Sequence, residues 1–126
     1  NFAPVNASDM STKANADIYV LGDASQQGDM PKSGFSANSQ AKVCANAVRG
    51  SLTGSKVFPA KFSNTCWSLV HENDGIKVGA TYKATAEKIA KVDGFISATN
   101  ESAELRKATY EESEGWYAGI TADMFG

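Results

Sequence analysis

The sequence predicts an α+β fold: a small antiparallel sheet with flanking helices, preceded by one strand and one helix of the kind that build α/β domains. Three observations carry that expectation. The uninterrupted apolar run Ile18-Tyr19-Val20-Leu21 ends at Gly22-Asp23, the pattern of a strand buried on both faces, parallel and internal. Ala37, Ala41, Cys44, Val48 and Leu52 recur at spacings of four, three, four and four, which places them on one face of a helix. Asn73-Asp74-Gly75 separates a strand near Trp67–His71 from a second with alternating Ile76, Val78, Ala80 and Tyr82, which reads as an antiparallel hairpin.

Taken in chain order, residues 1–15 are mixed polar with Pro4 and show no period. After the apolar run, the ten residues Ala24–Ser33 contain Gly28 and Pro31 and no apolar face, so they form a loop of a length that usually lines a ligand. The helix is expected from about Gly34 to Ser51, stopped by Gly50 and Gly54. Phe58-Pro59 turns the chain into the hairpin. A short strand follows around Ile89–Ile96, interrupted at Asp93-Gly94. A charged helix from about Ser102 to Tyr117 has only a thin apolar stripe of Leu105, Ala108, Trp116 and Ile120.

Composition narrows the function. The 126 residues carry 12 Lys+Arg against 14 Asp+Glu, a net charge of −2, which argues against a general nucleic-acid binder because phosphate neutralisation needs a basic surface. The charge is uneven, +2 over residues 1–63 and −4 over residues 64–126, with the acidic excess mainly in the last helix. No window approaches a membrane span, and the opening at Asn1 reads as a processed chain or a fragment. Cys44 and Cys66 are the only cysteines, too few for a disulfide scaffold or a zinc ribbon, and with His71 alone they supply no zinc-ligand spacing. No metal site is expected, and His71 reads as a surface imidazole. The segment GDMPKSG lacks the Gly that a phosphate loop needs before its Lys, where Pro31 stands. GFSAN around Ser36 lacks the second Gly of a nucleophile elbow.

What remains is a carboxylate at the end of a buried strand, a long loop and a helix N-terminus. In open α/β sheets ligands bind at such strand ends. Asp23 would accept from a sugar or polyol hydroxyl, and the helix beginning near Gly34 would turn its N–H groups and positive dipole end toward an electron-rich ligand atom. On the residues alone, Asp23 serves equally well as the acceptor of an Asx-turn.

DIYVLGDAS resembles the second FAD-contacting motif of the two-dinucleotide-binding flavoproteins, in which the Asp of the Gly-Asp pair holds the ribityl chain. With MPKSGFSANSQAK, NTCWS and GWYAGITADMFG, the chain resembles the C-terminal part of the flavoprotein subunit of flavocytochrome c sulfide dehydrogenase over nearly its whole length. The resemblance implies a periplasmic FAD enzyme that oxidises sulfide and passes electrons to a c-type cytochrome subunit. It implies flavin contacts at Gly22, Asp23, Pro31, Lys32, Ser33, Gly34 and Trp116, and a redox cysteine at Cys66, one half of a disulfide beside the flavin. It divides the chain into residues 1–54, the last strand, loop and helix of an FAD-binding domain, and residues 55–126, a C-terminal interface domain.

The residues add their own weight. Cys44 lies between Ala41 and Val48 on the apolar helical face, the place of a small buried thiol. Cys66 is flanked by Asn64, Thr65 and Ser68 at a strand start, where a nucleophile can reach sulfur; the alternative is a structural cysteine. Trp116 is equally readable as a core anchor. The Gly-rich first FAD motif, the pyridine-nucleotide-like domain and the partner of Cys66 are absent, so the 126 residues alone are not expected to turn over. A lone parallel strand would also leave its edges unpaired, which predicts association, swapping or rearrangement of residues 1–25. Two other functions fit parts of the pattern: a sulfide:quinone oxidoreductase, for which the last helix is too acidic to lie on a bilayer, and a non-catalytic module that binds a basic partner through that helix.

Overall fold

The computed structural model describes residues 1–126. Its elements are β1 (Ala3–Pro4), a 3₁₀ turn (Gly22–Ala24), β2 (Ser25–Gln26), α1 (Gly34–Thr53), β3 (Lys61–His71), β4 (Asp74–Ala84), β5 (Ile89–Ile96) and α2 (Ala103–Phe125). β3, β4 and β5 form an antiparallel sheet in sequence order, and β1 pairs with β2 in a second, parallel one. The α+β class read from the sequence holds.

Helix α1 starts where the chain supplies a cap. Ser33, in extended conformation, accepts the Ser36 N–H on its hydroxyl at 3.1 Å, which satisfies one of the N–H groups that the first turn leaves open. The helix passes through Gly50 and stops at Gly54, which takes the left-handed conformation (φ 69°) and donates its N–H to the Gly50 carbonyl. Gly50 is needed for a different reason: a Cβ there would lie 2.2 Å from the Val57 side chain, where the chain doubles back.

The buried stripe of α1 is Ser36, Gln40, Cys44 and Ala47, not the expected Ala37, Ala41, Cys44, Val48 and Leu52. Leu52 is 80% exposed. The stripe is displaced by about one residue around the helix, because two polar side chains, Ser36 and Gln40, find hydrogen-bond partners in the interior and take the inward positions.

The larger correction concerns Ile18–Leu21, which is not a strand. Tyr19 makes one antiparallel bridge to Ser11, and Ile18 is exposed. An internal parallel strand needs partners along both edges, and no other segment of this chain offers a parallel edge to it. Residues 1–27 instead close on themselves through β1–β2 and the bridges Val5–Thr12 and Ser11–Tyr19. That segment, which has no period in sequence, nevertheless supplies Val5, Ala7 and Met10 to the core. The first part of the expected loop also differs, since the 3₁₀ turn and β2 occupy its first three residues up to Gln26.

The hairpin is longer than the pattern showed, eleven residues in each strand, and it turns at Glu72-Asn73, with Asn73 in the left-handed region at φ 58°. β5 runs through Asp93-Gly94 without a break. α2 extends to Phe125, and of its residues only Thr109 is buried; Leu105 is half exposed. It meets the sheet through Arg106, Thr109 and Trp116, a mixed set, which explains why its apolar stripe reads so thin.

Two compact units emerge, one of Asn1–Thr65 with Gly79–Gly94, the other of Cys66–Val78 with Phe95–Gly126. The first holds the hydrophobic core, with Met10, Cys44, Phe62, Tyr82 and Ile89 among its members. No helix is long and apolar enough to cross a membrane.

Candidate functional site

In the first unit the structure gathers Gly22, Asp23, Lys32, Ser33 and Gly34 around the entry to α1. Gly22 opens the 3₁₀ turn at φ 67°, a conformation that costs glycine least, and donates its N–H to Gln40 Oε1 at 2.7 Å. Asp23 follows it and is exposed, with its carboxylate available to solvent while its backbone carbonyl accepts from the Lys32 ammonium. Lys32 Nζ also donates to the Ser25 carbonyl at 3.1 Å and lies 3.8 Å from the centre of the Phe2 ring. The lysine thus closes the loop across its own neck. Pro31 is exposed, and its carbonyl accepts from Gln27 Nε2 at 2.6 Å.

The helix entry is fixed a second time from the sheet. Asn64, buried on β3, accepts the Ser33 hydroxyl at 2.5 Å and the Ser36 hydroxyl at 3.0 Å on a single oxygen, Oδ1. Ser33 therefore donates to Asn64 while it accepts the Ser36 N–H, and the cap cannot rotate away without breaking both bonds. Gly34, the first residue of the helix, is exposed. The arrangement presents a helix N-terminus, with its partial positive charge, beside an exposed carboxylate on a pinned turn.

The second unit carries Cys66 and Trp116. Cys66 is half-buried within β3 rather than at its start. Trp116 of α2 packs on Trp67, with ring centroids 5.6 Å apart and planes tilted by 34°. Side chains alternate along a strand, so Cys66 lies on the face of β3 opposite the tryptophan pair. The same face that bears Trp67 receives α2: Lys77 pairs with Glu112, and Gly75 brings the sheet against the backbone of Thr109 and Tyr110. Arg106 binds Asp74 and holds its carboxyl below the ordinary carboxylate value.

The two thiols differ as the sequence indicates. No disulfide joins them. Cys44 is buried on α1, and burial, assisted by the Asp9 carboxylate, pushes its thiol pKa up, which suppresses the thiolate that a nucleophile requires. His71 is exposed beside Glu72, and no three His, Cys, Asp or Glu side chains are grouped to hold a metal ion.

Sequence reasoning missed three residues that shape the helix entry: Asn64, Gln40 and Gln27. Each is polar and nearly or fully buried, so a search for apolar periodicity passes over it. The available signal was spacing: Ser36, Gln40 and Cys44 stand four residues apart, about one helical turn, and so share a face.

Residues 59–125, more than half of the chain, match the family described as flavocytochrome c sulphide dehydrogenase, flavin-binding. The match includes Cys66, Trp67 and Trp116 and leaves the Asp23 turn and the entry to α1 outside it.

Proposed function

The chain belongs to the flavocytochrome c sulphide dehydrogenase flavin-binding family, and from that premise we propose that it is the flavin-binding C-terminal region of an FAD enzyme that oxidises sulfide at a redox disulfide and delivers electrons to a c-type cytochrome subunit. The observation that carries the reading is Cys66, a half-buried thiol on β3 inside the matched segment, set against a Cys44 whose thiol is buried and hard to ionise.

The residues fit a flavin by the chemistry they offer. Asp23 supplies an exposed carboxylate suited to ribityl hydroxyls, and the backbone from Pro31 to Gly34 leads into a capped helix N-terminus suited to an electron-rich ring. Gly22 lets the turn form, Lys32 and Ser33 hold it, and Trp116 keeps a half-buried ring in the second unit. A bound flavin supplies a two-electron acceptor that can release electrons singly to a haem protein. The chain's own contribution is to bind and orient. Asp23 accepts hydroxyl protons, the helix end favours negative charge on the ring, and Cys66 offers a sulfur for exchange.

In that exchange hydrosulfide attacks a disulfide between Cys66 and a cysteine from elsewhere in the protein; a new sulfur–sulfur bond forms, the old one breaks, and one cysteine leaves as thiolate. The division at residue 54 belongs to this reading, as does a periplasmic location, where a disulfide persists. The test is Cys66→Ser in the complete flavoprotein. Sulfide-dependent cytochrome reduction should fall at least a hundredfold while the flavin spectrum is retained; unchanged turnover refutes the proposal.

A further inference from the structure

Gln40 sits in the second turn of α1 and is fully buried at 0% exposure, a position that a primary amide holds only when its polar atoms are partnered. Its Oε1 accepts the Gly22 N–H at 2.7 Å, and its Nε2 donates to Gln27 Oε1 at 3.0 Å and approaches Met30 Sδ at 3.6 Å. Gln27, 4% exposed, donates its Nε2 to the carbonyls of Met30, at 3.2 Å, and Pro31, at 2.6 Å. The sense of this chain is set at both ends. A backbone N–H only donates and a backbone carbonyl only accepts, so Gln40 must turn oxygen to Gly22 and Gln27 must turn nitrogen to residues 30 and 31. The two amides then meet in the middle as donor and acceptor.

We infer that Gln40 and Gln27 are positioning residues for the flavin site, a buried relay that fixes the Asp23 turn relative to the N-terminal approach of α1. The relay ties together the two elements that face the ligand: Gly22 immediately precedes Asp23, and Pro31 stands two residues before the cap Ser33. Lys32 spans the same loop from outside, but a solvent-exposed ammonium on a flexible stem is a loose tie. Two interlocked planar amides, shielded from water, are a stiff one. The inference rests on the reading that Asp23 and the helix entry hold the flavin.

The test uses the flavin-loaded protein and the near-isosteric Gln40→Glu. When neutral, the new acid accepts from Gly22 and donates to Gln27, reproducing the relay; when ionised, it opposes Gln27 Oε1 acceptor to acceptor, and the relay opens. At acid pH the flavin midpoint potential should match that of the wild type. Above the titration of the new acid, the potential should fall relative to the wild type by an amount equivalent to a tenfold loss of reduced flavin, ~30 mV for a two-electron couple, and the Gly22 amide should exchange at least tenfold faster. An ionised carboxylate lowers a nearby potential by its charge alone, so the Gly22 amide decides: exchange that stays at the wild-type rate above the titration of the new acid means that Gln40 merely fills the core, and that result overturns the inference. Gln27→Leu, in the loop rather than the helix, decides the matter if Gln40→Glu does not fold: its potential should move in the same direction, and an unmoved potential overturns the inference. Asp23→Ala separates the two claims. If it leaves flavin binding and potential unchanged, the underlying reading fails; if it perturbs them and the glutamine variants do not, only the relay fails.

Discussion

Asn64 shows how one side chain can set a local structure that no pattern announces. It is 3% exposed, and its single Oδ1 receives the hydroxyls of Ser33 and Ser36. Asn64→Ala would strand two hydroxyl donors at the start of α1, so the unfolding free energy measured in urea should fall by about 1–3 kcal/mol. Asn64→Asp keeps the acceptor and adds negative charge near a helix N-terminus, so it should recover most of that loss. Acidic residues make a second prediction. Asp29 accepts from Lys88 Nζ at 2.6 Å and from the Lys91 N–H at 3.1 Å, and these bonds lower its pKa from the ordinary 3.8. Because the folded-state value is depressed, the stabilisation is present above 3.8 and is lost as pH falls through the lower folded-state value. Asp74, held by Arg106, follows the same sign. Thermal midpoints should therefore drop on acidification below about pH 4, and Asp29→Asn should flatten that drop. At this scale the sequence was legible at Cys44, whose apolar neighbours on one helical face marked a small buried thiol, and the structure buries it. It was silent on Asn64, Gln40 and Gln27, because a buried amide is defined by partners distant in sequence.

Among the elements, those with a strong internal period were readable and those that depend on a neighbour were not. α1 and the β3–β4 hairpin stand where spacing put them, with a cap at Ser33 and a left-handed stop at Gly54. The inward face of α1 was displaced because Ser36 and Gln40 were recruited by hydrogen bonds, and Ile18–Leu21 lost its strand character for want of parallel partners. α2 was foreshortened in the reading, since its contact with the sheet runs through Arg106, Thr109 and Trp116, a mixed set with no apolar rhythm. Gly75 is the position where that contact is tightest. A Cβ there would stand 2.9 Å from the Tyr110 nitrogen and 3.0 Å from its Cα, both backbone atoms of a helix and so unable to swing aside. Gly75→Ala should lower stability by about 1–3 kcal/mol as α2 is forced off β4. Near-UV circular dichroism provides the specific check, because displacement of α2 must alter the Trp67–Trp116 pair; an unchanged aromatic spectrum would show that the helix is not seated on Gly75.

At the scale of the whole molecule, burial is distributed unequally between the two compact units. Met10, Cys44, Phe62, Tyr82, Ile89 and the other buried apolar side chains all belong to Asn1–Thr65 and Gly79–Gly94. In Cys66–Val78 with Phe95–Gly126 only Gly75 and Thr109 are buried, and that unit is held by ion pairs such as Lys77–Glu112 and Arg106–Asp74 and by one tryptophan pair. Surface ion pairs contribute little, about 0–1 kcal/mol each, whereas burial of one large apolar side chain contributes about 1.5–3 kcal/mol. Local opening should therefore be far easier in the second unit. Amide hydrogen exchange should show protection in the middle of α2, around Thr109–Trp116, at least tenfold below that in the middle of α1, around Gln40–Ala47. Raised salt should widen the gap, because it screens the ion pairs of the second unit and leaves the apolar core of the first untouched. Equal protection in the two helices, or a gap indifferent to salt, would mean that α2 draws its stability from something other than the pairs described, and that the thin apolar stripe along it is no guide to its strength.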